Sequence, residues 1–248
     1  MNIEKPTAND LPALKALWAE AFGDTEEFIS LFFTRGFAPE RCRCIKKDGI
    51  LAALYWFDCP WMGKKLAYIY GVATRKDARG NGLCAALMEN THQHLKESGY
   101  AGAVLVPAKA DLRTYYRRFG YENCGGVKEI TATATAPVSV QPVSTEAYSA
   151  MRQTLLPEKG VALQGEMLTF FSHLAAFYAG DGFLFAAAWE DGKLRLPELL
   201  GHCPDLGGIA AALNADSVTC RVPGETEFAM YLPFDGTEAP GYFGIALD

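Results

Sequence analysis

One stretch, LAYIYGVATRKDARGNGLCAALMENTHQHL at residues 66–95, limits the possible folds more than any other. It opens as an apolar, aromatic-rich run of strand character. Residues 75–82 follow, with Arg75, Lys76, Arg79, Gly80 and Gly82 among them. Leu83, Leu87, Thr91 and Leu95 then recur at four-residue spacing with Ala86 beside them, which is the buried stripe of an amphipathic helix. A strand passing through a short basic loop into a helix belongs to an α/β or α+β architecture. The glycines let the backbone turn tightly and approach a ligand closely. The first turn of the helix leaves N–H groups without helical partners, and with cations nearby such an end attracts phosphate.

The surrounding residues extend the order. Asp10 is placed to cap a helix over 10–20 with Leu11, Leu14, Leu17 and Trp18 on one face, and 26–33 reads as a second helix. Residues 42–46, 50–57 and 65–73 read as strands, with a hairpin turn at Asp48-Gly49 and a break over 58–63. Gly99 closes the amphipathic helix, 103–106 is a short strand stopped by Pro107, and 111–119 is a helix ended by Gly120. Residues 1–125 thus form one domain. Residues 126–140, which end in the charge-poor run TATATAPVSV, read as a final strand and linker. In 141–248 the pattern gives a long helix over 163–179 and strands over 183–189 and 193–200. A helix over 206–213 and strands over 217–222, 228–232 and 242–246 complete it. This is a shortened echo of the first half, so a degenerate second copy, or an accessory domain, is expected there.

Composition narrows the function. The 248 residues are half hydrophobic, enough to bury a core without metals or disulfides. Seven cysteines, an odd number, read as free thiols of a reducing, cytoplasmic protein. Cys42 and Cys44 share a strand face with no second pair at zinc spacing, and His92 and His94 diverge on a helix, so no metal site is expected. The N-terminus has no secretory pattern, and no apolar run reaches the ~20 residues of a membrane span. The net charge of −6 argues against a nucleic-acid partner. That charge is uneven: residues 1–125 hold 17 Lys and Arg against 14 Asp and Glu, whereas 126–248 hold 6 against 15. The second half is therefore expected to help build a site for a cation.

A dinucleotide-binding loop would need a third glycine where Ala85 stands, and no Gly-Lys-Ser/Thr exists for a nucleotide triphosphatase loop. The loop instead resembles the Arg/Gln-x-x-Gly-x-Gly/Ala motif of the GNAT superfamily of acyl-CoA N-acyltransferases, with Arg79, Gly82 and Cys84 in the three positions. GVAT resembles that family's fourth strand. LVPAKADLRTYYRRFGYE resembles its fifth strand and last helix, including Tyr-x-x-x-Gly-Tyr at Tyr116, Gly120 and Tyr121. YYRRFGYE and the added C-terminal region are similar to Eis-type members. The resemblance covers residues 1–125.

It implies a GNAT-type mixed central sheet flanked by helices, and acetyl-CoA, without a metal, lying between splayed fourth and fifth strands. The pantetheine arm would meet the backbone of Val72, Ala73 and Thr74. The pyrophosphate would meet the amides of Arg79, Gly80, Asn81, Gly82, Leu83, Cys84 and Ala85. The Val72 N–H would polarise the thioester carbonyl, and Tyr116 would protonate the departing thiolate. Lys109 stands where many members carry an asparagine contact to CoA.

The chemistry of the residues agrees. A tyrosine with a pKa of about 10 is protonated at neutral pH and can supply a proton to a thiolate of pKa about 8.5. An oriented backbone N–H stabilises negative charge developing on a carbonyl oxygen. Tyr116 also has a packing reading beside Tyr115 and Phe119. The acceptor would be a small-molecule or peptide amine: polyamine, aminoglycoside, amino acid or protein amine. Asp58, Glu122, Glu27, His202 or, as in Eis-type proteins, the Asp248 carboxylate could take its proton. The aromatic group Tyr55, Trp56, Phe57, Trp61, Tyr68 and Tyr70 could in part line its pocket. A CoA-binding regulator without turnover is the alternative, and an oligomer is compatible with either reading.

Overall fold

The computed structural model describes residues 2–247. The first half contains β1 (Asn2–Glu4), α1 (Leu11–Phe22), α2 (Glu26–Leu31), β2 (Cys42–Lys46), β3 (Ile50–Trp61) and β4 (Lys64–Thr74). It continues with α3 (Leu83–Glu97), β5 (Gly102–Leu105), α4 (Asp111–Arg117) and β6 (Glu122–Cys124). The second half contains β7 (Val127–Thr133), β8 (Gln141–Pro142), α5 (Thr145–Leu155), α6 (Gly165–Phe171), β9 (Ala176–Gly180), β10 (Phe183–Glu190) and β11 (Lys193–Gly201). It ends with α7 (Leu206–Ala212), β12 (Ser217–Pro223) and β13 (Ala229–Pro233).

Two mixed sheets result. The first has the order β1-β2-β3-β4-β5-β13-β6, the second β7-β12-β11-β10-β9-β8. In each, three successive antiparallel pairings lead to one parallel pair, β4 with β5 and β11 with β12, and an antiparallel strand closes the far side. Two helices precede the central hairpin in each half, and one helix makes the parallel crossover. The second half is therefore a reduced copy of the first in topology, as its echo of the element order suggests.

The chain does not divide cleanly at residue 125. β13 returns from the C-terminal end and pairs with both β5 and β6, so the first sheet is closed by residues from beyond the expected boundary. The strand after residue 125, β7, belongs instead to the second sheet, paired along its length with β12. Local pattern identifies a strand but carries nothing about which distant edge it joins. A chain cut near Pro137 would lose β13, so it cannot isolate the role of the second half.

Three further expectations change. β3 runs through the expected break to Trp61, because β2 pairs only as far as Tyr55 and the missing N–H of Pro60 falls where no strand lies. The long helix over 163–179 is α6 followed by β9. The burial of residues 176–180 alternates, with Phe177 and Ala179 inside, and β10 supplies the partner. Residues 242–246 form no strand, and Tyr242 makes only an isolated bridge to Gly160. Helix α5 adds an element between the expected linker and residue 163, where the apolar pattern gives none; Ser144 caps it by accepting from the Ala147 N–H at 3.2 Å.

One core spans both halves. Trp18, Phe32, Tyr55, Phe57 and Tyr68 on one face of the first sheet pack with Phe170, Phe171 and Phe177 of the second half and with Phe243, Ile245 and Leu247 of the tail. The other face packs α3 and α4 around Leu87, Met88, Leu105 and Tyr116. Cys42 and Cys44 are buried in the shared core, as a shared strand face requires. A buried ion pair joins α5 to β11: Arg152 Nε and Nη2 donate to the Glu198 carboxylate at 2.7 and 2.9 Å. The hydroxyls of Tyr148 and Tyr242 donate to the same carboxylate at 2.9 and 3.1 Å, and Arg152 Nη1 donates to the Val161 carbonyl.

Candidate active site

The parallel ladder between β4 and β5 runs from Leu66–Gly102 to Ile69–Leu105 and stops. β5 ends there, while β4 continues through Gly71, Val72, Ala73 and Thr74. On its other side, Tyr55 opposes Tyr70 and Ala53 opposes Ala73, so Gly71 and Val72 together face Leu54. This is a β-bulge, with Gly71 at φ +59°. The bulge turns β4 where it leaves β5 and opens a wedge beside Val72. The position tolerates no side chain, since a Cβ on Gly71 would lie 2.8 Å from the Trp18 ring and 2.9 Å from that of Tyr55. We expect Gly71→Ala to cost roughly 1–3 kcal/mol through left-handed strain and overpacking. Denaturant unfolding measures it, and a change below about 0.5 kcal/mol would show that the bulge is not fixed by these rings.

The loop after β4 is tied down on both sides. The Arg75 N–H donates to the Leu51 carbonyl at 2.8 Å, and Arg79 Nε donates back to the Thr74 carbonyl at 3.0 Å. The Lys76 N–H is held by Glu20 of α1. Gly80 and Gly82 adopt φ +78° and +74°, and a Cβ at either would meet nothing within 4 Å. Their requirement for glycine is therefore conformational, and the space outside them is open. Helix α3 starts at Leu83, and its first bond runs from the Ala86 N–H to the Gly82 carbonyl. The amides of Leu83, Cys84 and Ala85 thus precede the first turn's acceptors and have no helical partner. Arg79, Asn81 and Gly82 are exposed, and Leu83 is buried under the helix.

Helix α4 packs on the start of α3. Tyr116 is 9% exposed, within the cluster that also holds Leu83, Cys84, Val72 and Leu105. Burial, and then the neighbouring Cys84 thiol, push its pKa well above that of a free tyrosine. Its hydroxyl therefore keeps its proton through the neutral range. Tyr115 is less buried, turned toward Cys84, and raised in the same direction by burial and that contact. The rings of Tyr115 and Tyr116 meet edge to face at 5.5 Å, and Tyr121 packs on Tyr116 at 5.9 Å. Lys109 is exposed at the end of the β5–α4 connection. The structure thus brings Val72, Thr74, the residue 79–85 loop and Tyr116 to one end of the sheet.

A family model described as an acetyltransferase (GNAT) domain matches residues 2–124. Residues 2–124 belong to the GNAT family. Solved GNAT-type structures extend the likeness over both halves. A GCN5-related N-acetyltransferase from Kribbella flavida superposes with a TM-score of 0.71 at 17% identity, over 94% of this chain and 71% of that one. One from Anabaena variabilis gives 0.71 at 15%, over 94% and 72%. Eis1 from Mycobacterium abscessus gives 0.66 at 11%, over 95% and 74%. At these identities the likeness is one of fold. No curated protein matches the sequence.

The residues considered for proton removal scatter. Asp58 faces Ala67 across the β3–β4 ladder, where it accepts from Tyr100 at 2.6 Å and pairs with Lys65. Ala67 lies five residues before Val72, about 17 Å along the strand. Glu122 sits in the row Tyr68–Val104–Tyr231, three strands across and roughly 14 Å from Tyr68, which is itself four residues short of Val72. His202 belongs to the second half, and Glu27 is exposed in the first turn of α2. Asp248 lies outside the described residues.

Tyr55, Trp56, Phe57, Trp61 and Tyr68 are each at most 3% exposed, so they are core side chains. Tyr70 is only partly buried, and its hydroxyl donates to the Leu247 carbonyl. That contact brings the tail against the residue preceding the bulge. Sequence reasoning missed both the tail contact and the bulge. The one local signal was a glycine inside a strand pattern. A cavity of about 750 Å³ lined by Lys64, Lys65, Lys96 and Tyr100 lies at the other end of β4, away from the wedge.

Proposed function

We propose that this GNAT domain transfers an acetyl group from acetyl-CoA to an amine by direct attack. The supporting observation is the wedge itself: a strand bulged at Gly71 leaves its parallel neighbour beside an open glycine loop and a protonated tyrosine. The bound thioester would supply the acetyl group. The chain's own groups do the rest. The edge of Val72, Ala73 and Thr74 that β5 leaves unpaired offers main-chain partners to an extended amide-bearing arm. The amides of Arg79, Gly80, Asn81, Gly82, Leu83, Cys84 and Ala85, at the positive end of α3, meet the pyrophosphate.

The Val72 N–H, aimed by the bulge, stabilises negative charge gathering on the thioester oxygen. Tyr116 returns a proton to the departing sulfur. Its raised pKa keeps the proton available at neutral pH and makes it a weaker acid than a free tyrosine. Holding amine and thioester together contributes on the order of 7–11 kcal/mol, so a modest acid is sufficient. The acceptor is an amine of a small molecule or peptide that arrives as an ammonium ion, favoured by the excess of carboxylates in residues 126–248. It loses one proton to solvent before attack, and the proton it sheds on forming the amide replaces the one that Tyr116 gives to sulfur.

Gly82→Glu tests the cofactor part of this reading. It places a carboxylate in the open space outside the loop, and it should raise the CoA dissociation constant at least tenfold, about 1.4 kcal/mol. Calorimetric titration of CoA into the folded variant reads this directly. Unchanged affinity would remove the loop from the site.

A further inference from the structure

The second sheet carries a wedge of its own. The parallel ladder between β11 and β12 spans only Leu194–Val218 to Leu196–Cys220. Beyond it β11 runs on to Gly201 and β12 to Pro223 without pairing to each other. In topology this is the place that the β4–β5 wedge occupies in the first sheet, with α7 in the position of α3. Here the wedge holds a cavity of about 420 Å³. Leu199 and Leu200 line it from β11, Cys220 and Val222 from β12, and Leu155 and Leu206 from the flanking helices. Pockets of this size take small organic ligands.

The loop at its mouth has reversed its chemistry. Where the first half has Arg75, Lys76, Arg79 and two open glycines, the second has His202, Cys203, Pro204 and Asp205. There is no lysine or arginine, and Pro204 has no N–H to offer. The Asp205 carboxylate already occupies the start of α7, accepting from the Gly207 N–H at 2.9 Å and from the Thr135 hydroxyl at 2.6 Å. A fixed negative charge stands where a phosphate would have to approach. What remains is an apolar slot between two strand edges whose facing main-chain groups lack ladder partners. Such a slot suits an alkyl chain, and the free edges suit an amide.

We propose that the β11–β12 wedge is a second binding site, for a neutral amphiphile consisting of a medium-length alkyl chain and one amide group. Its alkyl chain lies along Leu199, Leu200 and Val222, and its amide bonds to the parted strand edges. Asp205 discriminates against anionic heads of the same chain length. This site is independent of the acetyl-CoA reading, since it uses none of the same residues.

The test is calorimetric titration of N-octanoyl ethanolamine into the full chain, with and without saturating CoA. The expected result is one saturable site whose affinity CoA leaves unchanged. Octanoate, with the same chain and a carboxylate head, should bind at least tenfold more weakly. Val222→Trp, which fills the slot from the strand side, should weaken amide binding at least tenfold. Leu206→Asp, which sets a charge in the lining at a half-buried helix position, should do the same if Val222→Trp fails to fold. The proposal is overturned if the folded wild-type chain does not bind the amide, if CoA displaces it, if octanoate binds equally well, or if a folded variant binds it as tightly as the wild type. Should CoA itself fail to bind, the octanoate comparison and the variants still decide.

Discussion

Glu198→Ala should destabilise the chain by roughly 3–5 kcal/mol, because it leaves the Arg152 guanidinium buried without its counter-ion. Arg152 is 4% exposed and Glu198 fully buried, so water cannot replace the lost partner. The same change strands the hydroxyls of Tyr148 and Tyr242, which have no other acceptor in the network. Against a typical total of about 5–15 kcal/mol, this is a large fraction. For a chain of this size it corresponds to a fall in Tm of roughly 6–20 °C. Replacing both ends of the pair with apolar residues, as in Arg152→Met with Glu198→Leu, should recover much of the loss. A single-variant loss below about 1 kcal/mol in denaturant unfolding would mean that the network is not holding α5, β11 and the tail together.

Tyr116→Phe should lower kcat by about 10²–10⁴ while CoA affinity stays within about twofold, because the ring remains and only the proton is removed. Tyr115→Phe is the matched comparison. It sits one residue away, touches Cys84 as well, and is less buried. Its effect should be below about tenfold. Equal losses in the two variants would assign the proton to neither. The direction of the Tyr116 pKa also fixes a pH expectation. Since burial pushes it up, activity should not fall through loss of this proton anywhere below pH 10.

How far the sequence revealed these features depended on the range of the forces involved. The loop and helix at residues 75–97 were readable because their causes are local: glycines at positive φ, an apolar stripe every four residues, and cations beside a helix start. The placement of Tyr116 on the inner face of α4 followed from its spacing to Gly120. The turn Asp48-Gly49 fixed a hairpin in the same way. Non-local features stayed hidden. Nothing in AMYLP announces that it slots between β5 and β6, more than a hundred residues upstream. The run FFSHLAAFYAG is apolar apart from Ser172 and His173, and only the presence of β10 makes its second half a strand. The Gly71 bulge depends on the rings of Trp18 and Tyr55, and the Arg152–Glu198 pair on two elements 46 residues apart.

Amine-dependent release of CoA thiol from acetyl-CoA, with the product identified by mass spectrometry, tests the central claim most directly. The acceptors should include a polyamine, an aminoglycoside, a free amino acid and a peptide with a free N-terminus. The account predicts stoichiometric thiol release and N-acetylated product with at least one cationic amine, strongly reduced in Gly82→Glu and in Tyr116→Phe. Tight CoA binding with no amine-dependent release from any of these acceptors would contradict it, and would make this wedge a CoA-sensing site without turnover.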